Sequence, residues 1–281
     1  MFWFIYDFRT PELGSRAQQW WREWILWKFF VDYFPIRLIK TAELSPDHNY
    51  LIGCHPHGVL SFGSYASLCT TATGFNNKFP GIKPFIATLN GQFWWPIRRE
   101  EAIICGAVAS SQRSLDYVLG NGKGNALGVV LGGAEELLDT HPNNFHLNLL
   151  NRRGFIRVAL RNGAFLVPLY NFGENATYSQ VFPNRHGSFN RRFQTVVRRM
   201  WGFCPPLING RGIFNERYGL MPRKTPINTV VGKPIPVEKC LNPTKERVDQ
   251  LHAEYCSSLI ELFETHKKAF GIDESVHLEL Y

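Results

Sequence analysis

Short apolar runs alternate with segments of helical period along most of the chain. Four runs have the length and β-rich composition of strands: residues 50–54 (Tyr-Leu-Ile-Gly-Cys), 85–89, 126–131 and 165–170. Between the last two, residues 153–162 gather Phe155, Ile156, Ala159 and Leu160 on one face, and Gly163 stands where a helix would end. Asn242-Pro243 opens a longer helical pattern in which Val248, Leu251, Tyr255, Leu259, Leu262 and Phe263 share a face. Lys267 and Lys268 suit the C-terminal end of its dipole, and Gly271 stops it. Strands alternating with helices predict an α/β fold, a sheet flanked by helices. Residues 20–34, WWREWILWKFFVDYF, differ in kind: large aromatics set among sparse charges. That segment is too short to span a bilayer and amphipathic enough to lie in its headgroup region. With no internal repeat, low-complexity tract or Gly/Ser linker, the pattern predicts an interfacial N-terminal extension over residues 1–45 and one domain over 46–281.

Composition strengthens the second half of that reading. A chain of 281 residues with 44% hydrophobic positions can bury a substantial core, yet aromatics reach 14% while charged residues stop at 19%. Such a chain meets apolar surface beyond its own interior. A mean hydropathy of -0.18 excludes a polytopic membrane protein. The stretch 53–77, which carries no Asp, Glu, Lys or Arg, is too rich in Gly, Ser, Thr and Asn to be a spanning helix. Met1-Phe-Trp-Phe-Ile-Tyr6 lacks a basic flank and stops at Asp7, so it fails as a secretory signal and the chain is expected to face the cytosol. The six cysteines (Cys54, Cys69, Cys105, Cys204, Cys240, Cys256) form no CxxC pair and read as reduced thiols.

Charge is unevenly spread. Residues 1–150 balance 12 Lys/Arg against 12 Asp/Glu, residues 151–224 hold 13 against 2, and residues 225–281 hold 6 against 9. The basic middle segment is expected to attract an anion, whether nucleotide phosphates or lipid headgroups; no zinc-finger or RNP signature accompanies it, which speaks against nucleic acid. Within it Arg153, Arg157 and Arg161 recur at helical spacing, where like charges repel unless something relieves them.

The candidate chemistry sits at strand ends. His55-Pro56-His57-Gly58 follows the 50–54 run, and a helix beginning near Gly58 would keep a neighbouring imidazole neutral and competent as a base. Val129-Val-Leu-Gly-Gly-Ala-Glu-Glu136 closes another run: Gly132 and Gly133 permit close backbone approach to an oxyanion or phosphate, and a carboxylate follows. Gly173-Glu174-Asn175 ends a third, while Asn209-Gly210-Arg211-Gly212 reads as a turn. Two mechanisms fit these residues: acyl transfer with His55 as base, or a metal hydrolase whose His55/His57 pair is completed by Glu135, Glu136, Asp139 or His141. A non-catalytic lipid or nucleotide binder is the third reading.

Taken in order, Tyr33-Phe34-Pro35, His55-Pro-His-Gly58, Gly132-Gly-Ala-Glu-Glu136, Arg152-Arg-Gly-Phe155, Phe172-Gly-Glu-Asn175, Gly210-Arg-Gly212 and Val231-Gly-Lys-Pro-Ile-Pro236 resemble the type-2 diacylglycerol acyltransferase family, with its monoacylglycerol and wax-alcohol acyltransferase relatives. The resemblance runs from about Phe8 to about Glu274 and begins near the point where members' N-terminal hydrophobic hairpin ends. It implies a glycerolipid-acyltransferase-like fold and an acyl-CoA-dependent O-acyltransferase of the cytosolic face of the endoplasmic reticulum and of lipid droplets, without cofactor or metal. The acceptor is diacylglycerol, monoacylglycerol or a long-chain alcohol. It makes His55 the catalytic base, with His57 and Glu136 in support. Gly58, Gly132, Gly133, Arg152, Arg153, Glu174, Asn175 and Arg211 become substrate-binding residues, the arginines facing the CoA phosphates. A Ser-Arg-Asp run common in that family reads Ser111-Gln112-Arg113 here, and Leu150 stands where a basic residue is usual.

Overall fold

The computed structural model describes residues 6–181, 194, 207–215 and 218–281. Outside them lie Met1 to Ile5, Cys204, Glu216 and the arginines of the basic segment between positions 182 and 206. In chain order the elements are α1 (Gln19–Arg22), α2 (Ile25–Tyr33), β1 (Ile36–Lys40), β2 (Tyr50–His55), α3 (Phe62–Cys69), α4 (Phe75–Lys78), β3 (Lys83–Thr88), α5 (Pro96–Cys105), β4 (Ala107–Ala109), α6 (Gln112–Gly120), β5 (Asn125–Val130) and α7 (Gly133–Leu138). They continue with β6 (His146–Leu147), α8 (Gly154–Asn162), β7 (Phe165–Phe172), β8 (Ser179–Gln180), β9 (Ile208–Asn209), β10 (Ile227–Val231), α9 (Lys245–His266) and β11 (Glu279–Leu280).

Seven strands form the main sheet in the order β1-β10-β7-β2-β5-β3-β4. The five from β7 to β4 run parallel, and the parallel pair β1/β10 joins them antiparallel through β7. All six residues of β2 are buried, as a strand covered on both faces must be. Its alternation divides the core. Tyr50, Ile52 and Cys54 pack with Leu68 of α3, whereas Leu51 packs with α8 and the long C-terminal helix α9 on the opposite face. The six apolar positions read from the α9 pattern are all buried, Thr244 caps the helix start, and Gly271 closes the following 3-10 turn in the left-handed region.

The N-terminal aromatic stretch forms two short helices broken at Glu23-Trp24. Just after it, and ahead of residue 45, β1 is the edge strand of the main sheet, paired residue for residue with β10 through Ile36↔Ile227 to Lys40↔Val231. Ile36 and Leu38 alternate into the core, a periodicity short enough to be lost beside the aromatic run. Upstream, Asp7 pairs with the buried Arg99 (3.0 Å) and with Arg16 (2.9 Å), and Ser15 bonds the Ile103 carbonyl, so this segment is stitched to α5.

Candidate active site

Adjacent parallel strands β7, β2 and β5 all end at one edge of the sheet. The three motifs singled out in the sequence therefore meet there: His55 to Gly58 after β2, Gly132 to Glu136 after β5, and Glu174-Asn175 after β7. Open α/β sheets bind ligands outside these carboxyl ends.

The two histidines face different surroundings. His55 closes β2 on the α9 face; it is fully buried, and its Nε2 lies 3.0 Å from the Tyr255 hydroxyl. Tyr255 donates its one proton to the Gly53 carbonyl (3.3 Å), so His55 Nε2–H donates to the phenol oxygen and Nδ1 is left bare and without a partner. Burial pushes its pKa down to about 3. His57 is partly exposed. Its Nδ1 lies 2.9 Å from the Gly58 carbonyl, which can only accept, so Nδ1 carries the hydrogen and Nε2 keeps its lone pair. Burial lowers the His57 pKa, the Gly58 bond opposes it, and the Arg152 guanidinium lowers it further. The ring is neutral at pH 7. The cause is not the one expected, since α3 begins at Phe62 rather than near Gly58.

Two buried carboxylates hold the turn. Glu136 accepts from the backbone N–H groups of His57 (2.5 Å) and Asn148 (3.1 Å). Glu174 accepts from those of Phe62 (2.8 Å) and Gly63 (2.9 Å), capping α3 from across the sheet edge. Burial raises both to about 7, against the lowering effect of those same hydrogen bonds. The glycines make room: a Cβ on Gly58 would stand 2.6 Å from the Glu174 side chain, and one on Gly132 would stand 2.1 Å from a Glu136 carboxylate oxygen. Glu136 thus supports the backbone of His57 and touches neither imidazole. The Gly132 carbonyl in turn accepts from Arg152 (3.2 Å).

Other expected anion ligands are already engaged. Arg153 is paired with Asp249 (2.5 Å) and Arg161 with Asp116 (3.0 Å), which relieves the repulsion along α8 by acidic neighbours. Arg211 donates to the Tyr33 hydroxyl (2.7 Å), and the Asn175 amide donates to the Asn144 carbonyl (2.8 Å). A paired His55/His57 metal site does not form, because the rings engage Tyr255 and Gly58 separately; among the described residues no cluster of three or more His, Cys, Asp or Glu side chains is arranged around a common point. Sequence reasoning missed Tyr255, taken as core, and Asn171, whose amide donates to the His55 carbonyl (3.1 Å) and to Ser64 (2.9 Å). A hydroxyl among the apolar residues read on that helix face was the available signal, since a buried tyrosine needs a partner for its O–H.

A family model described as "Diacylglycerol acyltransferase" matches residues 1–281. The chain is 46% identical over 274 residues to a 2-acylglycerol O-acyltransferase 1 of Bos taurus, covering 97% of this chain and 82% of that protein. It is 48% identical to a diacylglycerol O-acyltransferase 2 of Danio rerio (97% and 76% covered) and 44% identical to a diacylglycerol O-acyltransferase 2 of Homo sapiens (99% and 72% covered). Among solved structures, the 1-acyl-sn-glycerophosphate acyltransferase PlsC of Thermotoga maritima aligns with a TM-score of 0.44 at 10% identity, over 84% of this chain and 78% of that one. With the whole length matched by the family model and by close relatives, the chain belongs to the diacylglycerol acyltransferase family.

Proposed function

We propose that this protein is an acyl-CoA-dependent O-acyltransferase that moves a fatty acyl group from the CoA thioester to a hydroxyl of diacylglycerol or monoacylglycerol. The relatives' names support the reaction class and acceptor. The observation that carries the mechanism is the free Nε2 of His57, its tautomer set by Gly58 and its backbone clamped by Glu136.

In this reading Nε2 takes the proton of the acceptor hydroxyl as its oxygen bonds to the thioester carbonyl carbon. The tetrahedral intermediate collapses, the C–S bond breaks, and the CoA thiolate takes the proton back from the imidazolium. No metal or organic cofactor enters the scheme. The base moves from His55, the sequence expectation, to His57, because a ring with no exposed atom and its Nε2 bonded to Tyr255 is badly placed to meet a lipid hydroxyl. His55 then anchors the turn from below.

The substrate's insolubility asks for a membrane surface. Trp20, Trp24, Ile25, Leu26 and Phe29, in and between the first two helices, are exposed, as are Trp94, Trp95 and Ile97 at the start of α5. Tryptophans of this kind sit at the headgroup level. Among the described residues no helix is long and apolar enough to cross a membrane. The proposal therefore includes interfacial attachment at the cytosolic face of the endoplasmic reticulum and on lipid droplets. The test is transfer of labelled oleoyl from oleoyl-CoA to diacylglycerol, monoacylglycerol or hexadecanol by membranes carrying the protein. Product from a glycerolipid supports the reading, and product from hexadecanol alone overturns the acceptor.

A further inference from the structure

A neutral, buried network lies on the α3 face of the sheet, behind the turn that carries His57. On β7, Tyr170 and Phe172 pack with α9, so Asn171 between them points to the opposite face, where it stands against Thr229 in the antiparallel pairing with β10. Asn171, Thr229 and Ser64 of the first turn of α3 are all buried. The His55 carbonyl can only accept, and that fixes the orientation of the Asn171 amide. Its two N–H hydrogens go to the His55 carbonyl (3.1 Å) and the Ser64 hydroxyl (2.9 Å), and its oxygen accepts from the Thr229 hydroxyl (2.8 Å).

Apolar side chains could hold β10, β7 and α3 together as well, since buried hydrogen bonds return little net stability. What these bonds add is direction, because each weakens steeply when its partners shift. The direction bears on His57. Asn171 grips the main chain at His55, two residues ahead of it, and also Ser64 beyond it, so one amide ties both ends of the turn while Glu136 accepts from the His57 N–H between them. Gly63 permits the close approach: a Cβ there would stand 2.5 Å from Asn171 Oδ1 and 2.8 Å from the Thr229 hydroxyl oxygen. Thr229, by donating to Oδ1, keeps the amide from turning over and setting that oxygen against the His55 carbonyl.

We propose that Asn171, its orientation set by Thr229, is a positioning residue for the reaction: it fixes the segment from His55 to Ser64 so that His57 Nε2 meets the acceptor hydroxyl. This rests on the reading of His57 as the base. Neither side chain of the pair touches substrate, so both act through the turn alone, and a small misplacement of a reacting group is enough to slow the chemical step.

The test uses the full chain in membranes as wild type, Thr229→Val, Thr229→Ser, Asn171→Leu, His57→Ala and the Thr229→Val/His57→Ala double variant, each melted to check its fold and normalised to folded protein. Turnover is read at varied oleoyl-CoA and varied glycerolipid acceptor. Thr229→Val nearly keeps the side-chain shape and removes one hydroxyl; it is expected to lower kcat by about 10- to 100-fold with both KM values unchanged. Thr229→Ser should return kcat to the wild-type range, and Asn171→Leu, where it folds, should fall at least as far as Thr229→Val. Added to His57→Ala, Thr229→Val should cost nothing further, because groups that act as a unit are not additive. A wild-type kcat in folded Thr229→Val overturns the positioning role, as does a raised KM in place of the lowered kcat. A further loss on top of His57→Ala overturns it too, since the network would then be structural only. Wild-type turnover by folded His57→Ala counts against the base itself, a separate failure read in the same assay.

Discussion

Glu136 and Glu174 set the pH behaviour of the site because their carboxylate oxygens are filled by backbone N–H groups of the turn. A carboxyl near 4.5 in the unfolded chain and near 7 in the folded one takes up a proton on folding between those values. Its stabilising share is therefore complete below about pH 4.5 and is lost as pH rises through about 7. Activity runs the other way, since the ionised form is the better acceptor for two N–H groups. The carboxyl share of stability should thus rise from pH 8 to pH 5 while turnover falls, opposed by the buried His55, whose depressed pKa costs stability as pH drops below its ordinary value. Glu174→Gln should remove part of the carboxyl share, read as a change from wild type in the pH slope of urea unfolding, and an unaltered slope would contradict the burial argument. His57→Ala is expected to lower kcat by about 10²–10⁴-fold with little change in KM, the usual loss for a general base. At this scale the sequence carried the residue types and their spacing but not which histidine turns outward, because cross-sheet partners such as Tyr255 lie some 200 positions away.

Strand β2 and helix α9 are the elements on which the site depends. Gly53 lies where the Tyr255 hydroxyl crosses the strand, and a Cβ there would stand 1.9 Å from that oxygen and 2.9 Å from Leu131. Gly53→Ala is accordingly expected to cost about 1–3 kcal/mol by overpacking and to displace Tyr255 from His55, a change that thermal melting and tyrosine fluorescence both read. Arg153→Ala at the head of α8 breaks the pair with Asp249 and should leave the acyl-CoA KM unchanged, the reverse of what its place in the basic segment suggested. The four strands and two helices read from periodicity match β2, β3, β5, β7, α8 and α9 to within a few residues, since each pairs strong apolar patterning with clear Gly or Pro boundaries. β1 and β10 were not read. They are five residues each, and β10 joins by an antiparallel pairing that no local pattern encodes.

For the whole molecule, the proposal joins a site at the carboxyl edge of the sheet to an aromatic surface formed by α1, α2 and the Trp94-Trp95 corner. The Trp94 corner was not legible in the sequence, because its exposure depends on how α5 packs beside α1. Replacing Trp94 and Trp95 with Ser should reduce co-sedimentation with phospholipid vesicles several-fold without lowering the melting temperature, as expected for exposed interfacial side chains; wild-type sedimentation would remove that corner from the membrane-facing surface. The family and the α/β class were readable because motifs at three strand ends keep their order in the chain, and the fold brings those ends together. The most direct test of the central claim is transfer of labelled oleoyl from oleoyl-CoA to diacylglycerol and monoacylglycerol by wild type, His57→Ala and His55→Ala, each normalised to folded protein. Product is expected from wild type, with turnover lowered by about 10²–10⁴-fold in His57→Ala and by a smaller factor in His55→Ala. Wild-type turnover by folded His57→Ala, or a complete loss confined to His55→Ala, would contradict that claim.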